Sequence, residues 1–335
     1  MNIGYPGQVV FKFSLSLLFP LLVLSFCSPA EAKPCGQSDI RCAQLAQWAQ
    51  DYPFVKDRRS SDYLFVAGGI YQFERFDPNL GRATVIVPGD KKAISVHQLL
   101  KLLEENNDLG KTRTPVIAYG SNAAPWVLAD KFTRLYGDNK EYLGSMTIPV
   151  TKAKLKNFDV TWLPRFAGYG VLPATISAAS GTEVEVWLTW LTDDQLTLMN
   201  KSEEIGKKGG MYSLNIMPKR QVVTNSYQLG EDPVIYISCY GALRAPNGDA
   251  VAIAQIPASN RKLEEMNTIQ TLTYVASLLG FQGTGFEFLA DNVRSLHQDA
   301  ILTGRNDIIR SYSVRSPRLQ LVSPEYECKG IRSTN

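Results

Sequence analysis

The chain has 335 residues, with 35 Lys and Arg against 32 Asp and Glu, a formal charge of +3. That balance is too mild for a nucleic-acid-binding surface, and no Lys/Arg cluster interleaved with aromatics occurs. With 44% hydrophobic and 20% charged residues the chain can bury an ordinary globular core. Two histidines and no Cys-x-x-Cys give zinc no ligand set, so a zinc site is not expected.

Residues 1–32 read as a secretory signal peptide: Lys12, an apolar run from Phe13 to Phe26, and the small-residue end Ala30-Glu31-Ala32. Pro20 interrupts the run, which is short for a membrane span, and bulky Phe26 before Cys27 argues against a lipid-modified cysteine. Cleavage after Ala32 is therefore expected, giving a secreted or periplasmic protein with no later membrane span. Cys35, Cys42, Cys239 and Cys328 would remain in an oxidising compartment, as disulfide staples with three possible connectivities. One of these closes a local loop at Cys35 and Cys42 and ties the C-terminal tail to the body through Cys239 and Cys328.

Residues 33–111 read as an N-terminal α/β extension. It has a helix over 42–51, strands over 63–73 and 83–87, and a capping box at Ser95-Val96-His97-Gln98. That box opens a Leu-rich helix expected to end near 107–110. Residues 112–290 form the main domain. Pro115 to Tyr119 is a buried strand, broken by Gly120-Ser121-Asn122 before a helix over 125–136. Strands follow over 153–162 and 183–191, the second with Val184, Val186, Leu188 and Trp190 on one face. Thr192-Asp193-Asp194-Gln195 is a second capping box, and the two aspartates need no further role than the helix start. Further strands are expected over 211–217 and 234–242. Ser259 is expected to cap a long helix with Leu263, Met266, Ile269, Leu272 and Leu279 on its apolar stripe and Gly280 as its stop. Residues 291–335 form a C-terminal tail. Strands and helices without regular βαβ alternation indicate an α+β fold.

Two short segments could carry chemistry. A strand that stops in Tyr119-Gly120-Ser121-Asn122 and turns into a helix presents backbone N–H groups, and Gly permits close approach to a ligand; the plain alternative is a tight turn. On the helix from Asp193, Glu203 continues the inward stripe of Leu196, Met199 and Asn200, whereas Glu204 turns about 100° away. An inward carboxylate suits a general base; the plain alternative is a solvated Gly- and Lys-rich loop that includes Lys207 and Lys208. Ser121 lies in no G-x-S-x-G elbow, and neither His97 nor His297 is placed to activate it. The five tryptophans, Trp187 and Trp190 among them, belong to core or pocket wall.

Tyr119-Gly120-Ser121-Asn122 after an apolar strand resembles the signature of the γ-glutamylcyclotransferase family. The likeness continues in order over roughly residues 112–290. Gly170-Val171-Leu172-Pro173-Ala174-Thr175-Ile176 resembles the family's G-G-x-A-T-I strand, and Gly181-Thr182-Glu183-Val184-Glu185-Val186 its P-G-x-x-V-x-G segment. Leu198 to Glu203 stands where the family has L-D-x-x-E-G, Gly210-Met211-Tyr212 matches its G-x-Y, and the helix ending at Gly280 matches its late helix. Glu204 replaces the family glycine, Ile205 to Gly209 are additional, and Ala123 replaces the usual larger hydrophobic residue.

The resemblance implies a mixed β-barrel flanked by helices, with an N-terminal extension. It also implies release of 5-oxoproline from a small-molecule γ-glutamyl substrate, without metal or cofactor. Glu203 would be the general base, Tyr119, Gly120, Ser121 and Asn122 would hold the glutamyl end, and Tyr212 would shape the pocket. Glutathione, other γ-glutamyl amines and γ-linked cell-wall peptides are all open as substrates. The departures after Glu203 and the long N-terminal region motivate the alternative, a non-catalytic ligand-binding or envelope scaffold protein that keeps the fold. Nothing in the chain bears on oligomeric state.

Overall fold

The structure, a computed structural model, describes residues 40–66, 69–89, 92–105, 109–136 and 146–331. The expected signal segment 1–32, Cys35 and the side chain of Cys42 lie outside the described residues. Helix α1 (Ile40–Ala49) opens the described chain. Strands β1 (Tyr63–Val66) and β2 (Gly69–Arg75) follow as an antiparallel hairpin, Val66 opposite Gly69, where the sequence suggests a single strand. β3 (Thr84–Ile86) and β4 (Ala93–Ser95) extend the meander.

The Ser95 capping box forms as expected and starts α2 (Val96–Leu102). This helix stops a turn early. Glu104 takes a left-handed conformation (φ 56°) and the Glu105 N–H turns back to the Leu100 carbonyl, closing a Schellman stop.

β5 (Thr114–Ala118) and α3 (Pro125–Tyr136) fall where the hydrophobic pattern places them. β6 (Ile148–Trp162) and β7 (Ala174–Leu191) pair along nearly their whole length, with a bulge at Asn157. α4 (Asp193–Ser202), β8 (Tyr212–Ile216), β9 (Val222–Thr224) and β10 (Val234–Ser238) complete the central region. The sheet runs β16-β8-β10-β5-β7-β6-β1-β2-β3-β4, where β16 is Gln320–Leu321 in the tail. The β5–β10 pair is parallel, so the fold is α+β with a large mixed sheet and seven helices among the described residues.

Among the described residues the expected barrel does not close. Closure needs a strand edge left open for the far end of the sheet. The outer edge of β6 is instead covered in turn by β1, β9 and the short strand Ala252–Ile253, and β16 and β4 do not pair.

Both faces of the sheet are buried at its centre. Val184, Val186, Leu188 and Trp190 of β7 pack on one side with α1, α2, Leu272 and Phe288. Trp187 and Leu191 face the other side with Leu128 and Phe132 of α3 and Met199 of α4. Trp187 is fully buried, and truncating such a residue to Ala costs about 3–5 kcal/mol.

The helix expected from Ser259 begins only at Asn267, whose capping box with Gln270 starts α5 (Thr268–Leu278). Upstream, Arg261 reaches Asp159 at 2.8 and 3.0 Å and the Ile256 carbonyl at 2.8 Å, and Glu265–Met266 pairs with Ala252–Ile253 as strand. Tertiary contacts thus override the periodic pattern there. Gly280 ends the run in a left-handed conformation (φ 70°), as expected. α6 (Gly285–Arg294) and α7 (Asp299–Arg310) follow. The Cys239–Cys328 disulfide ties the tail to the segment after β10.

Candidate active site

The end of β5 is the centre of the site. As the strand stops, the carbonyls of Tyr119 and Gly120 leave the ladder, and buried polar groups of this kind need partners. Arg58, only 9% exposed, supplies them, donating from Nη2 to Tyr119 O (2.9 Å) and Gly120 O (2.7 Å). Burial lowers the Arg58 pKa to about 10, so the guanidinium keeps its charge at neutral pH. Gly120 packs closely: a Cβ there would stand 3.2 Å from the Tyr52 hydroxyl and 3.4 Å from the Ala174 Cβ. Ser121–Ala123 then makes a single 3-10 turn, the Tyr63 hydroxyl donates to Ala123 O, and Pro125 begins α3. The first N–H groups of that turn have no acceptor within it.

Glu203 caps the C-terminal end of α4 and points inward, its side chain 12% exposed. Asn122 Nδ2 donates to Glu203 Oε1 at 3.0 Å. Lys131, from the second turn of α3, forms an ion pair with the same oxygen and is itself 15% exposed. Asn122 Oδ1 is buried and makes no hydrogen bond. The helix ends in a Schellman motif, with Ile205 N–H to Asn200 O (3.0 Å) and Glu204 N–H to Lys201 O (3.3 Å). Glu204 is left-handed (φ 57°), which turns its side chain away from Glu203.

Five tyrosines surround this carboxylate. Tyr119 donates to Tyr236 O (2.6 Å), Tyr236 to Asn200 Oδ1 (2.9 Å) and Tyr212 to Ala174 O (2.8 Å). Tyr52 accepts from Ala174 N–H (2.7 Å), so two phenols hold the N–H and the carbonyl of one residue, and Tyr169 hydrogen-bonds to Tyr52. Burial is the main cause that pushes all five phenol pKa values up, and the Glu203 charge pushes the same way. They are neutral donors and acceptors across the working pH range.

Together these residues line a cavity of about 460 Å³, within the range of small-molecule sites. The structure brings all six sequence-predicted residues to it: Tyr119, Gly120, Ser121, Asn122, Glu203 and Tyr212. Lys207 and Lys208 are exposed and do not line it, and His97 is exposed on α2. Trp162, Trp187 and Trp190 are core, whereas Trp48 and Trp126 are cavity wall.

Sequence reasoning missed a whole wall. Trp48, Tyr52 and Phe54 come from the end of α1 and the turn after it, Trp126 from α3 and Tyr169 from the β6–β7 connection. Asn292 of α6, fully buried, holds that connection by donating to Gly170 O at 3.0 Å, and Asn306 of α7 accepts from the Phe166 N–H at 2.8 Å. Lys131 and Arg58 were also unmarked: one basic residue on a helix and one Arg in a Ser- and Asp-rich stretch carry no local sign of partners 72 and 61 residues away.

Among the described residues no group of three His, Cys, Asp or Glu is placed to hold a metal, and no helix is long and apolar enough to cross a membrane. No protein-family model, no curated protein and no solved structure matches the chain.

Proposed function

We propose that the chain is a γ-glutamylcyclotransferase-like enzyme that releases 5-oxoproline from a γ-glutamyl amine or peptide. The observation that carries this reading is the Asn122–Glu203 hydrogen bond at 3.0 Å in a cavity that also contains the Tyr119–Asn122 loop. The substrate supplies its own nucleophile, so a single carboxylate base and a binding loop suffice. The neutral α-amine attacks the γ-carbonyl and forms the ring C–N bond while Glu203 takes one amine proton. The tetrahedral oxyanion collapses, the bond from the γ-carbon to the leaving nitrogen breaks, and Glu203 returns the proton to that nitrogen. No proton is gained or lost overall. The Tyr52–Tyr169 pair shares one hydrogen bond and so retains one phenolic proton to offer the oxyanion, beside the N–H groups of the Ser121 turn.

Incubation with γ-glutamyl amines, dipeptides and glutathione, with 5-oxoproline followed by mass spectrometry, tests the reading. Product is expected from the native protein and none from Glu203→Gln. Product that persists in the variant removes Glu203 from the mechanism.

A second reading, ligand binding without turnover, has one observation in its favour. Lys131 already forms an ion pair with Oε1 of Glu203, the carboxylate that would act as base. It predicts thermal stabilisation by 5-oxoproline or a γ-glutamyl compound with no product, lost in Gly120→Val, whose side chain would press on Tyr52.

A further inference from the structure

The cavity has an uneven lining. Around Glu203 lie Asn122, Lys131 and the Ser121 turn, all polar. Another part of the wall is built from Trp48, Phe54, Trp126 and Tyr169, whose rings form one continuous cluster. Trp48 lies 4.7 Å from Phe54, 5.4 Å from Trp126 and 5.7 Å from Tyr169, and Phe54 lies 4.9 Å from Trp126. Most of these contacts are edge-to-face, so ring faces as well as edges are presented to the cavity. Trp48, Trp126 and Tyr169 are only partly buried, which distinguishes this wall from the fully buried tryptophans of the core.

Charge sharpens the contrast. The lining holds two carboxylates, Asp130 and Glu203, against one ammonium, Lys131, and that ammonium is already paired with Glu203. Arg58 lies behind the loop, engaged with two carbonyls, and is not part of the lining. A leaving group that carries its own carboxylate would add a second negative charge to the substrate's α-carboxylate and meet no ammonium beyond the Glu203-paired Lys131 among the described lining residues. Desolvating a carboxylate without such a partner is costly.

We infer that this wall is the leaving-group subsite and that the amine released is uncharged and aromatic. The substrate class is thus a γ-glutamyl arylamide or a close aromatic amide, rather than a γ-glutamyl dipeptide or glutathione. The inference rests on the reading of Glu203 and its loop as the site of 5-oxoproline release.

Glutaric acid monoamides test the subsite apart from the chemistry. They keep the chain, one carboxylate and the γ-carbonyl but lack the α-amine and cannot cyclise. Calorimetric titration of the native protein with glutaryl anilide, glutaryl cyclohexylamide, glutarylglycine and the monoamide of 1,4-diaminobutane compares aromatic, aliphatic, anionic and cationic leaving groups. The anilide is expected to bind about tenfold more tightly than each of the others. Trp126→Leu and Tyr169→Leu, each checked for a native melting transition, are expected to erase most of that preference. Tyr169 sits on a part-exposed connection, so the second variant serves if the first does not fold.

Equal affinities, tighter binding of the glycine or diaminobutane amide, or no binding of any probe overturns the inference. Turnover of γ-glutamyl anilide is read separately. Anilide preference without 5-oxoproline release would leave the subsite standing and remove the catalytic reading, whereas release without preference would do the reverse.

Discussion

Glu204 holds a left-handed backbone conformation (φ 57°) at the position just past the cap of α4, where glycine is the usual occupant because it has no Cβ to strain. The same position is where the γ-glutamylcyclotransferase pattern has glycine, so the departure read in the sequence has a defined backbone cost. Replacing Glu204 with Gly is expected to stabilise the fold by roughly 1 kcal/mol, seen as a raised melting temperature, with the Glu203 geometry unchanged. A variant less stable than the native protein would mean that the Glu204 side chain contributes more than its backbone costs. Tyr52→Phe removes one hydroxyl from the cavity and leaves the ring. On the proposed mechanism it should lower kcat by about 10- to 100-fold with little change in KM, whereas a purely structural hydroxyl would lower the melting temperature and spare kcat. These residues differ in how far the sequence exposes them. Glu203 is legible because helix periodicity turns it inward beside Met199 and Asn200 and the family resemblance favours that reading over a solvated loop. Tyr52 is not, because its contact with Ala174 joins residues 122 positions apart and depends on how the N-terminal segment folds over the sheet.

The loop from Ile205 to Gly209, additional to the family pattern, is held by distant elements as well as by its own turns, in which Lys207 N–H meets Glu204 O and Gly210 N–H meets Lys207 O. Gly209 N–H donates to Lys329 O at 2.9 Å, Arg165 donates to Gly209 O at 2.6 Å, and Lys329 adjoins the cysteine bonded to Cys239. The disulfide spans 89 residues, a closed loop whose removal from the unfolded chain costs about 4.6 kcal/mol in the chain-entropy picture. Cys328→Ser is therefore expected to lower stability by about that amount and to speed hydrogen exchange at the Gly209 amide, while the α4 amides stay protected. Uniform acceleration along α4 as well would show that the tail supports the whole helix rather than the loop. Elements were legible where local rules dominate. The capping boxes at Ser95 and Thr192, the strand at β5 and the alternation along β7 all follow from neighbours in sequence. The start of α5 was missed because Arg261 is bound to Asp159, 102 residues away, and the barrel failed to close because three separate segments cover β6. Neither contact leaves a trace in local periodicity.

Across the whole molecule the cavity concentrates tyrosines in a way that makes stability depend on alkaline pH. Phenols ordinarily titrate near 10, and burial holds Tyr52, Tyr119, Tyr169, Tyr212 and Tyr236 above that value in the folded chain. The folded state therefore keeps these protons where the unfolded state has lost them. Below about pH 10 both states hold them and the contribution is complete. Above it the unfolded chain binds fewer protons, so stability falls as pH rises. Arg58 acts in the opposite sense, because its folded pKa is lowered, to about 10, and its buried charge becomes less costly above that point. Tyr63, Tyr71, Tyr227 and Tyr274 are raised by burial as well, so raised phenols outnumber the one lowered guanidinium and stability falls by about 1.4 kcal/mol per pH unit for each net proton. A domain of ordinary stability, about 5–15 kcal/mol, should then unfold within a few pH units above 10. Near-ultraviolet circular dichroism and phenolate absorbance followed together should change in one cooperative step. Tyr236→Phe, which keeps the ring and removes one titrating group, should shallow that slope by about one proton. Gradual phenolate absorbance from pH 10 with the dichroism intact would mean that the cavity opens to solvent without unfolding, and the five phenols would then not be sealed around Glu203.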